Sequence, residues 1–140
     1  MTALFVGLAL VALLGVVHHF GVSSLRRVWP HPERSANLAI LGSFMCLLAL
    51  HFVEILLFAA VYRGLLEWPE FGAFTGDFDG SWTDLIYYSG INFTTLGFTG
   101  IETSGPIKLV SMMQSLGGFM VLTWSATIIY AICSQAWPEK

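Results

Sequence analysis

Three long apolar runs dominate the pattern of hydrophobic and polar positions, and two polar stretches separate them. The runs cover residues 3–20, 38–63 and 106–135. As helices they would be roughly 27 to 45 Å long, enough to cross the hydrocarbon core of a bilayer. The pattern therefore predicts three membrane-spanning helices. The first run lacks the basic flank of a signal peptide, so we expect it to be retained as a helix.

A fourth, shorter element is predicted at residues 81–93. Ser81 followed by Asp84 has the pattern of a helix N-cap with an acid at the third helical position. A helix of this length cannot cross a membrane, so we expect it to enter and return, buried in protein or lining water. Its C-terminal carbonyls, at the negative end of the helix dipole, would favour a cation.

The two polar stretches differ in the sign of their charges. Residues 21–37 form a polar loop with half of the six basic residues, which the positive-inside rule places in the cytoplasm. These are Arg26, Arg27 and Arg34. Residues 65–80 form an acidic loop on the outer side, either a vestibule that concentrates cations or an ordinary solvated loop. Its acids are Glu67, Glu70, Asp77 and Asp79. The N-terminus is then outside and the C-terminus cytoplasmic, with Trp137 and Lys140 at the interface.

Composition supports a single membrane domain and excludes several classes of function. The 140 residues are 56% hydrophobic and only 11% charged, with a net charge of -3. No basic cluster suggests a nucleic acid partner, and no catalytic or cofactor motif suggests an enzyme. Cys46 and Cys133 lie in separate apolar runs, so we interpret them as small buried hydrophobic residues.

The segment at residues 94–100 carries the strongest functional signal. It consists of Thr94, Thr95, Leu96, Gly97, Phe98, Thr99 and Gly100. It resembles the Thr-Val-Gly-Tyr-Gly filter of the potassium-channel superfamily, in which stacked main-chain carbonyls replace the water shell of a cation. The resemblance covers residues 38–135 in the order outer helix, pore helix, filter and inner helix.

The resemblance implies a fold and a function. We expect an all-α membrane protein with three transmembrane helices, a re-entrant pore helix and a filter. Residues 1–37 would be an extra helix and loop, and residues 38–140 the pore domain. One chain supplies one loop, so the channel would be a C4 homotetramer in a lipid bilayer, passing K⁺. A looser similarity to small three-helix prokaryotic members, which share a His-x-x-Glu and a Trp-Ser motif, implies the prokaryotic inner membrane.

Two filter positions depart from the family pattern. Phe98 lacks the hydroxyl of the family's tyrosine, and Thr99 stands where the family has its second glycine. Either Thr99 adopts a different backbone angle, or it is an insertion and Gly100 takes the glycine position. Weak K⁺ selectivity therefore remains open. So does a non-conducting or regulatory channel-like protein with a degenerate filter.

Small and mildly polar residues recur along one face of the inner helix. Ser111, Ser115, Gly118 and Ser125 fall at helical spacing with Leu122, and Gly117 adjoins them. In a channel this stripe would face the cavity below the filter, and the glycines could act as a gating hinge. The alternative is close packing between helices, for which small residues are equally suited.

His51 and Glu54 share a face of the outer helix near or beyond the middle of the membrane. Ionisable groups there must face protein or water, so we expect Glu54 to support the filter from behind. Candidate partners are Tyr87, Tyr88, Asn92 and Trp124. A structural interhelical pair is the first alternative. Metal ligation with His18 and His19 is another, although no spacing is diagnostic and we assign no metal site. His18 and His19 are expected to close the first helix at the cytoplasmic face, snorkelling or sensing pH.

Overall fold

The computed structural model describes residues 1–137, apart from the Arg26 side chain, so the interfacial position expected for Lys140 lies outside the described residues. Four α-helices form most of it: α1 (Thr2–Val28), α2 (Ala36–Leu65), α3 (Trp82–Phe93) and α4 (Ile107–Ala136). Two short strands, β1 (Ala73–Gly76) and β2 (Ile101–Ser104), and two 3₁₀ turns, Pro32–Ser35 and Pro69–Phe71, complete the described chain.

Helix α1 is longer than the sequence pattern predicted. Residues 21–37 were expected to be a polar loop, but the helix continues to Val28 and only a short connection separates it from α2. Serine and arginine do not break a helix, and the polarity of this segment marks the end of the apolar run and not the end of the helix. The helix stops before Pro30, whose ring disfavours helical geometry at Trp29.

The three long helices pack together, and α3 lies against α2 and α4. Each long helix is long and apolar enough to cross a membrane. α1 packs closely on α4, where Gly7 lies against Met113. One buried cluster includes Leu14 of α1, Phe58 and Tyr62 of α2, and residues from every other helix and strand. The first helix therefore contributes to the same core as the others.

The two strands make a small antiparallel sheet, which corrects the all-α expectation. Phe74 pairs with Thr103, and Gly76 pairs with Ile101. Each strand has four residues, too few to give a periodic pattern of their own. The sheet forms because the side chains of Phe74 and Ile101 are buried in the core, where they join segments that are distant in the sequence.

The cysteines are also placed differently from the expectation. Cys46 is exposed on the surface of the single chain, and Cys133 is half-buried. An apolar run does not fix which helix faces are buried, because lipid satisfies an outward-facing apolar side chain as well as protein does.

Candidate functional site

Helix α3 ends in a hydrogen-bond pattern that determines how the segment 94–100 begins. The Thr95 N–H donates to the Asn92 carbonyl, and the Leu96 N–H donates to the Ile91 carbonyl, both at 3.0 Å. This pair of bonds is a Schellman motif, which requires a left-handed residue and usually has glycine there. Thr95 occupies that position with φ 59°. A left-handed β-branched residue costs about 1–2 kcal/mol, so Thr95 is a strained residue.

The sign of the backbone angle φ alternates along the start of the segment. Thr95 and Gly97 are left-handed, with φ 59° and 70°, and Leu96 between them is not. Alternating left- and right-handed residues turn successive carbonyls toward the same side, whereas an extended strand turns them to opposite sides. Within residues 1–137 Thr95 is the only non-glycine with positive φ, so Thr99 is not left-handed, and neither is Gly100.

The far end of the segment is fixed by the sheet. The Asp77 N–H, just after β1, donates to the Gly100 carbonyl at 3.0 Å, and β2 begins at the next residue. The Thr99 hydroxyl accepts a hydrogen bond from the Ile101 N–H at 3.1 Å. The Tyr87 hydroxyl of α3 donates to the Phe98 carbonyl at 3.3 Å. The segment is thus held at both ends and braced once between them.

The segment is exposed on the surface of the single chain. Every residue from 94 to 98 is exposed, including Leu96 at 67% and Phe98 at 84%. Large apolar side chains exposed beside ordered main chain are typical of a surface that a partner covers.

A buried polar network joins α2, α3 and α4 behind the segment. The Tyr62 hydroxyl donates to the Gln114 carboxamide oxygen at 2.6 Å. The Gln114 amide nitrogen donates to the Ser89 hydroxyl at 2.8 Å, and that hydroxyl donates to the Ile55 carbonyl at 2.7 Å. Tyr62, Ser89 and Gln114 are all fully buried. Each of these three side chains has a hydrogen-bond partner, so the network fixes α3 between the two long helices.

Tyr88 and Ser111 belong to this network and not to the positions expected from the sequence. Their side-chain oxygens are 2.7 Å apart, and both residues are buried between α3 and α4. Ser111 was expected on a cavity-facing stripe, and Tyr88 was expected beside Glu54. Neither arrangement is present in the single chain. Asn92, another of the four expected partners of Glu54, instead donates to the Tyr88 carbonyl at 2.9 Å.

A second polar cluster lies between α1, α2 and α4. Glu54 is fully buried, and its two carboxylate oxygens lie 3.0 Å from His18 Nδ1 and 2.8 Å from His51 Nδ1. The two imidazole rings are stacked, with centroids 5.5 Å apart. The Ser125 hydroxyl lies 2.9 Å from His51 Nε2. One potential ligand atom from each of His18, His51 and Glu54 falls in a group within 4.8 Å, so these three residues could hold a metal ion.

This cluster corrects two expectations. His18 is fully buried inside α1 and does not close the helix, because α1 continues for several more residues. Glu54 is bonded to the two histidines and has no hydrogen bond to α3 or to Trp124. Trp124 contacts the His18 ring, with centroids 5.2 Å apart, and Phe93 at the end of α3 contacts the His51 ring at 5.6 Å.

The two glycines of α4 lie at close contacts with other elements. A Cβ on Gly118 would overlap the Phe93 carbonyl, and one on Gly117 would meet Val11 and Leu14 of α1 at 3.0 Å. Both glycines therefore lie where a neighbouring element packs too closely to leave room for a side chain. Ser115 is half-buried, and Ser125 is buried against His51.

The acidic loop is organised at the start of α3. The Asp84 N–H bonds to the Ser81 hydroxyl, which is the predicted cap, and the Ser81 N–H donates to Asp79 at 2.7 Å. Hydrogen bonds from Ser81, its side chain first, hold the pKa of Asp79 below its ordinary value because they favour the carboxylate. The acids of the loop are exposed.

Sequence reasoning did not identify Tyr62, Ser89 or Gln114 as site residues. The signal available was a glutamine in the middle of an apolar run, where an amide needs a partner. The partners of Gln114 could not be identified from the sequence, because Ser89 and Tyr62 lie far away along the chain.

Three apolar helices of this length define an integral membrane protein. A family model described as "Ion channel" matches residues 50–135, more than half of the chain, and the chain belongs to that ion-channel family. The match confirms the resemblance to the pore domain of the potassium-channel superfamily. It begins within α2, includes α3 and the segment 94–100, and ends in α4, so that α1 lies outside it. No curated protein and no solved structure matches the chain.

Proposed function

We propose that four copies of this chain form a C4 homotetramer that passes monovalent cations, K⁺ foremost, along a path lined by the carbonyls of residues 94–100. The observation that carries the proposal is the alternation in the sign of φ at Thr95, Leu96 and Gly97, in a segment exposed on the single chain. Carbonyls turned to one side can replace the hydration shell of a cation, but one chain cannot surround it. A ring of copies on a symmetry axis can.

The strain at Thr95 supports a role for its side chain. Glycine at this position would form the same Schellman motif without the cost of a left-handed β-branched residue. A threonine there is accounted for if its hydroxyl contributes to the innermost ion site. Strained residues persist where the surrounding structure imposes them and where function uses them.

The other predicted residues take supporting roles in this proposal. Tyr87 braces Phe98 from α3, replacing the hydroxyl that Phe98 lacks. His51 contacts Phe93, just before the filter, and Glu54 holds His51 in place. Trp124 supports the same contact through His18, whose ring stacks on that of His51. Ser115 faces the cavity between the inner helices, and residues 38–140 form the pore domain behind the extra first helix.

The proposed orientation follows from the charges. The arginines at the end of α1 and in the turn before α2 lie in the cytoplasm of a prokaryotic cell, and the acidic loop before α3 lies outside the inner membrane. The N-terminus is then outside and the C-terminus inside. Exposed acids near the outer end of the filter would raise the local cation concentration.

The test is ion flux through the purified chain in lipid vesicles. We expect flux of K⁺ and Rb⁺ above that of protein-free vesicles, with Na⁺ slower. Thr95→Ala should reduce the preference for K⁺, whereas Thr75→Ala, on an exposed position of β1, should not change it. Equal flux in all vesicles, or a purified assembly whose residues 94–98 lie away from the symmetry axis, would contradict the proposal.

A degenerate filter is the second candidate, and one observation favours it. Neither Thr99 nor Gly100 is left-handed, and the Phe98 carbonyl accepts a hydrogen bond from Tyr87. An outer ion site built from these residues would be weaker than the inner sites, which predicts weak selectivity or no conduction. Thr99→Gly should then raise the preference for K⁺ over Na⁺. If it leaves that preference unchanged while K⁺ already passes well, the degenerate filter is excluded.

A further inference from the structure

We propose that His18, His51 and Glu54 form a binding site for a divalent transition-metal ion, of the zinc class, that links α1 to α2. All three side chains are almost or fully withdrawn from solvent, with His51 exposed by only 13% and the other two by 0%. They come from two helices and converge on one carboxylate. A buried carboxylate requires a compensating positive charge, and the bonds described for Glu54 come only from histidines.

The hydrogen bonds of the cluster do not balance if both histidines are neutral. A neutral imidazole has one donor and one acceptor nitrogen. If both Nδ1 atoms donate to Glu54, both Nε2 atoms need a donor. The structure places one donor there, the Ser125 hydroxyl, at 2.9 Å from His51 Nε2 and 3.5 Å from His18 Nε2. One buried acceptor is therefore poorly satisfied.

A divalent ion bound to both Nδ1 atoms and to the carboxylate balances the cluster. Each histidine then carries its proton on Nε2, and both Nε2–H groups donate to Ser125 Oγ, which has two lone pairs. This is the arrangement in which outer groups orient metal-binding histidines. The ion also supplies positive charge beside the buried carboxylate, and a water or hydroxide would complete the fourth position of a tetrahedral site that has three protein ligands.

The two nitrogen–oxygen distances lie near the ligand spacing of such an ion, and all three ligand atoms lie within 4.8 Å of one another. Zinc binds histidine nitrogen and carboxylate oxygen at about 2.0–2.2 Å, which separates tetrahedral ligands by about 3.3 Å. The nitrogen–oxygen distances of 3.0 and 2.8 Å are within a few tenths of an ångström of that spacing. Two imidazoles and one carboxylate suit Zn²⁺ or Fe²⁺ better than Ca²⁺ or Mg²⁺, which prefer oxygen ligands alone.

The test uses the full-length purified chain in detergent, with Zn²⁺ and Co²⁺ as probes. We expect one Zn²⁺ per chain by elemental analysis, and visible absorption bands of tetrahedral Co²⁺ after exchange. Glu54→Gln and His18→Asn should remove these bands. His19→Asn is the matched control, because His19 adjoins His18 in sequence but is exposed and outside the cluster. Ser125→Ala should weaken zinc binding by roughly 10- to 100-fold, since it removes only the group that orients the ligands.

Several outcomes would overturn the site. The first is an unmodified chain that retains no zinc and gives no cobalt bands, a result that does not depend on how any variant folds. Loss of zinc in His19→Asn equal to that in His18→Asn would place the ion elsewhere. If stability changes between about pH 5 and 8 while added Zn²⁺ has no effect, a proton balances the cluster in place of a metal. None of these measurements depends on ion conduction.

Discussion

Replacing Gly118 by alanine tests how α4 meets the end of α3. A Cβ at this position would overlap the Phe93 carbonyl and come within 2.8 Å of its carbon and 2.9 Å of its Cα. Carbon atoms pack at about 3.5–4.0 Å, so α4 or the end of α3 must move by roughly 0.6–1 Å. The obstacle is main chain, which cannot rotate away as a side chain would.

The expected cost follows from two opposing terms. Overpacking of a tight contact costs about 1–3 kcal/mol. Alanine is favoured over glycine inside a helix by about 1 kcal/mol. Gly118→Ala should therefore destabilise the protein by up to about 2 kcal/mol, although alanine is the better helix former. A gating hinge predicts a different result, namely altered opening with stability unchanged or increased.

Gly15→Ala is the matched control, because Gly15 also lies inside a long helix but has nothing within 4 Å of its Cβ position. It should gain the helical preference without the overlap. The two variants should then differ by the overpacking term, about 1–3 kcal/mol, or roughly 3–10 °C in melting temperature. Thermal unfolding of both variants in detergent measures this difference. Equal melting temperatures would refute the reasoning that Gly118 is a contact with Phe93.

Four further predictions concern the segment, its supports and the acidic loop. Thr95→Gly should leave stability unchanged or raise it by up to about 1.5 kcal/mol, because the strain relieved, about 1–2 kcal/mol, exceeds the entropy cost of glycine. The same variant should lower the preference for K⁺ in vesicle flux. Tyr62→Phe removes the hydrogen-bond donor to the buried Gln114 carboxamide oxygen and should destabilise the protein by about 1–3 kcal/mol; an unchanged melting temperature contradicts the network. Ser81→Ala removes the α3 cap and should cost about 0.5–2 kcal/mol. Because the pKa of Asp79 is lowered in the fold, its carboxylate contributes stability that is fully present above the ordinary pKa of 3.8. This contribution is lost as the pH falls through the folded-state pKa. In Asp79→Asn, acid unfolding monitored by circular dichroism should therefore lack this pH-dependent contribution.

The sequence predicted the elements whose signals are local. Three apolar runs became three long helices, and the Ser81 cap correctly located the start of α3. The errors arose where polarity and helix ends do not coincide. The segment after residue 20 is polar but helical, because its first proline comes at position 30. The strands were missed because their pairing joins distant segments and leaves no periodic pattern.

The main-chain segment of the candidate site was predicted better than the side chains that pack behind it. The pattern of residues 94–100 led to the ion-channel resemblance that the family match confirms. The partners of Glu54 could not be predicted, because they depend on the rotation of α1 about its axis. His18 lies 36 residues from Glu54, and no pattern in either helix indicates that they face each other. The positions of Ser89 and Gln114 have the same explanation.

The two ends of the segment 94–100 are held by means that differ in strength. The inner end continues from a helix whose last turns are buried, whereas the outer end depends on four-residue strands near the surface. Short surface strands open far more often than buried helical turns. Hydrogen exchange should consequently be faster at Ile101–Ser104 than at the last turn of α3, and rearrangements of the segment would start at its strand end while the threonine end keeps its shape.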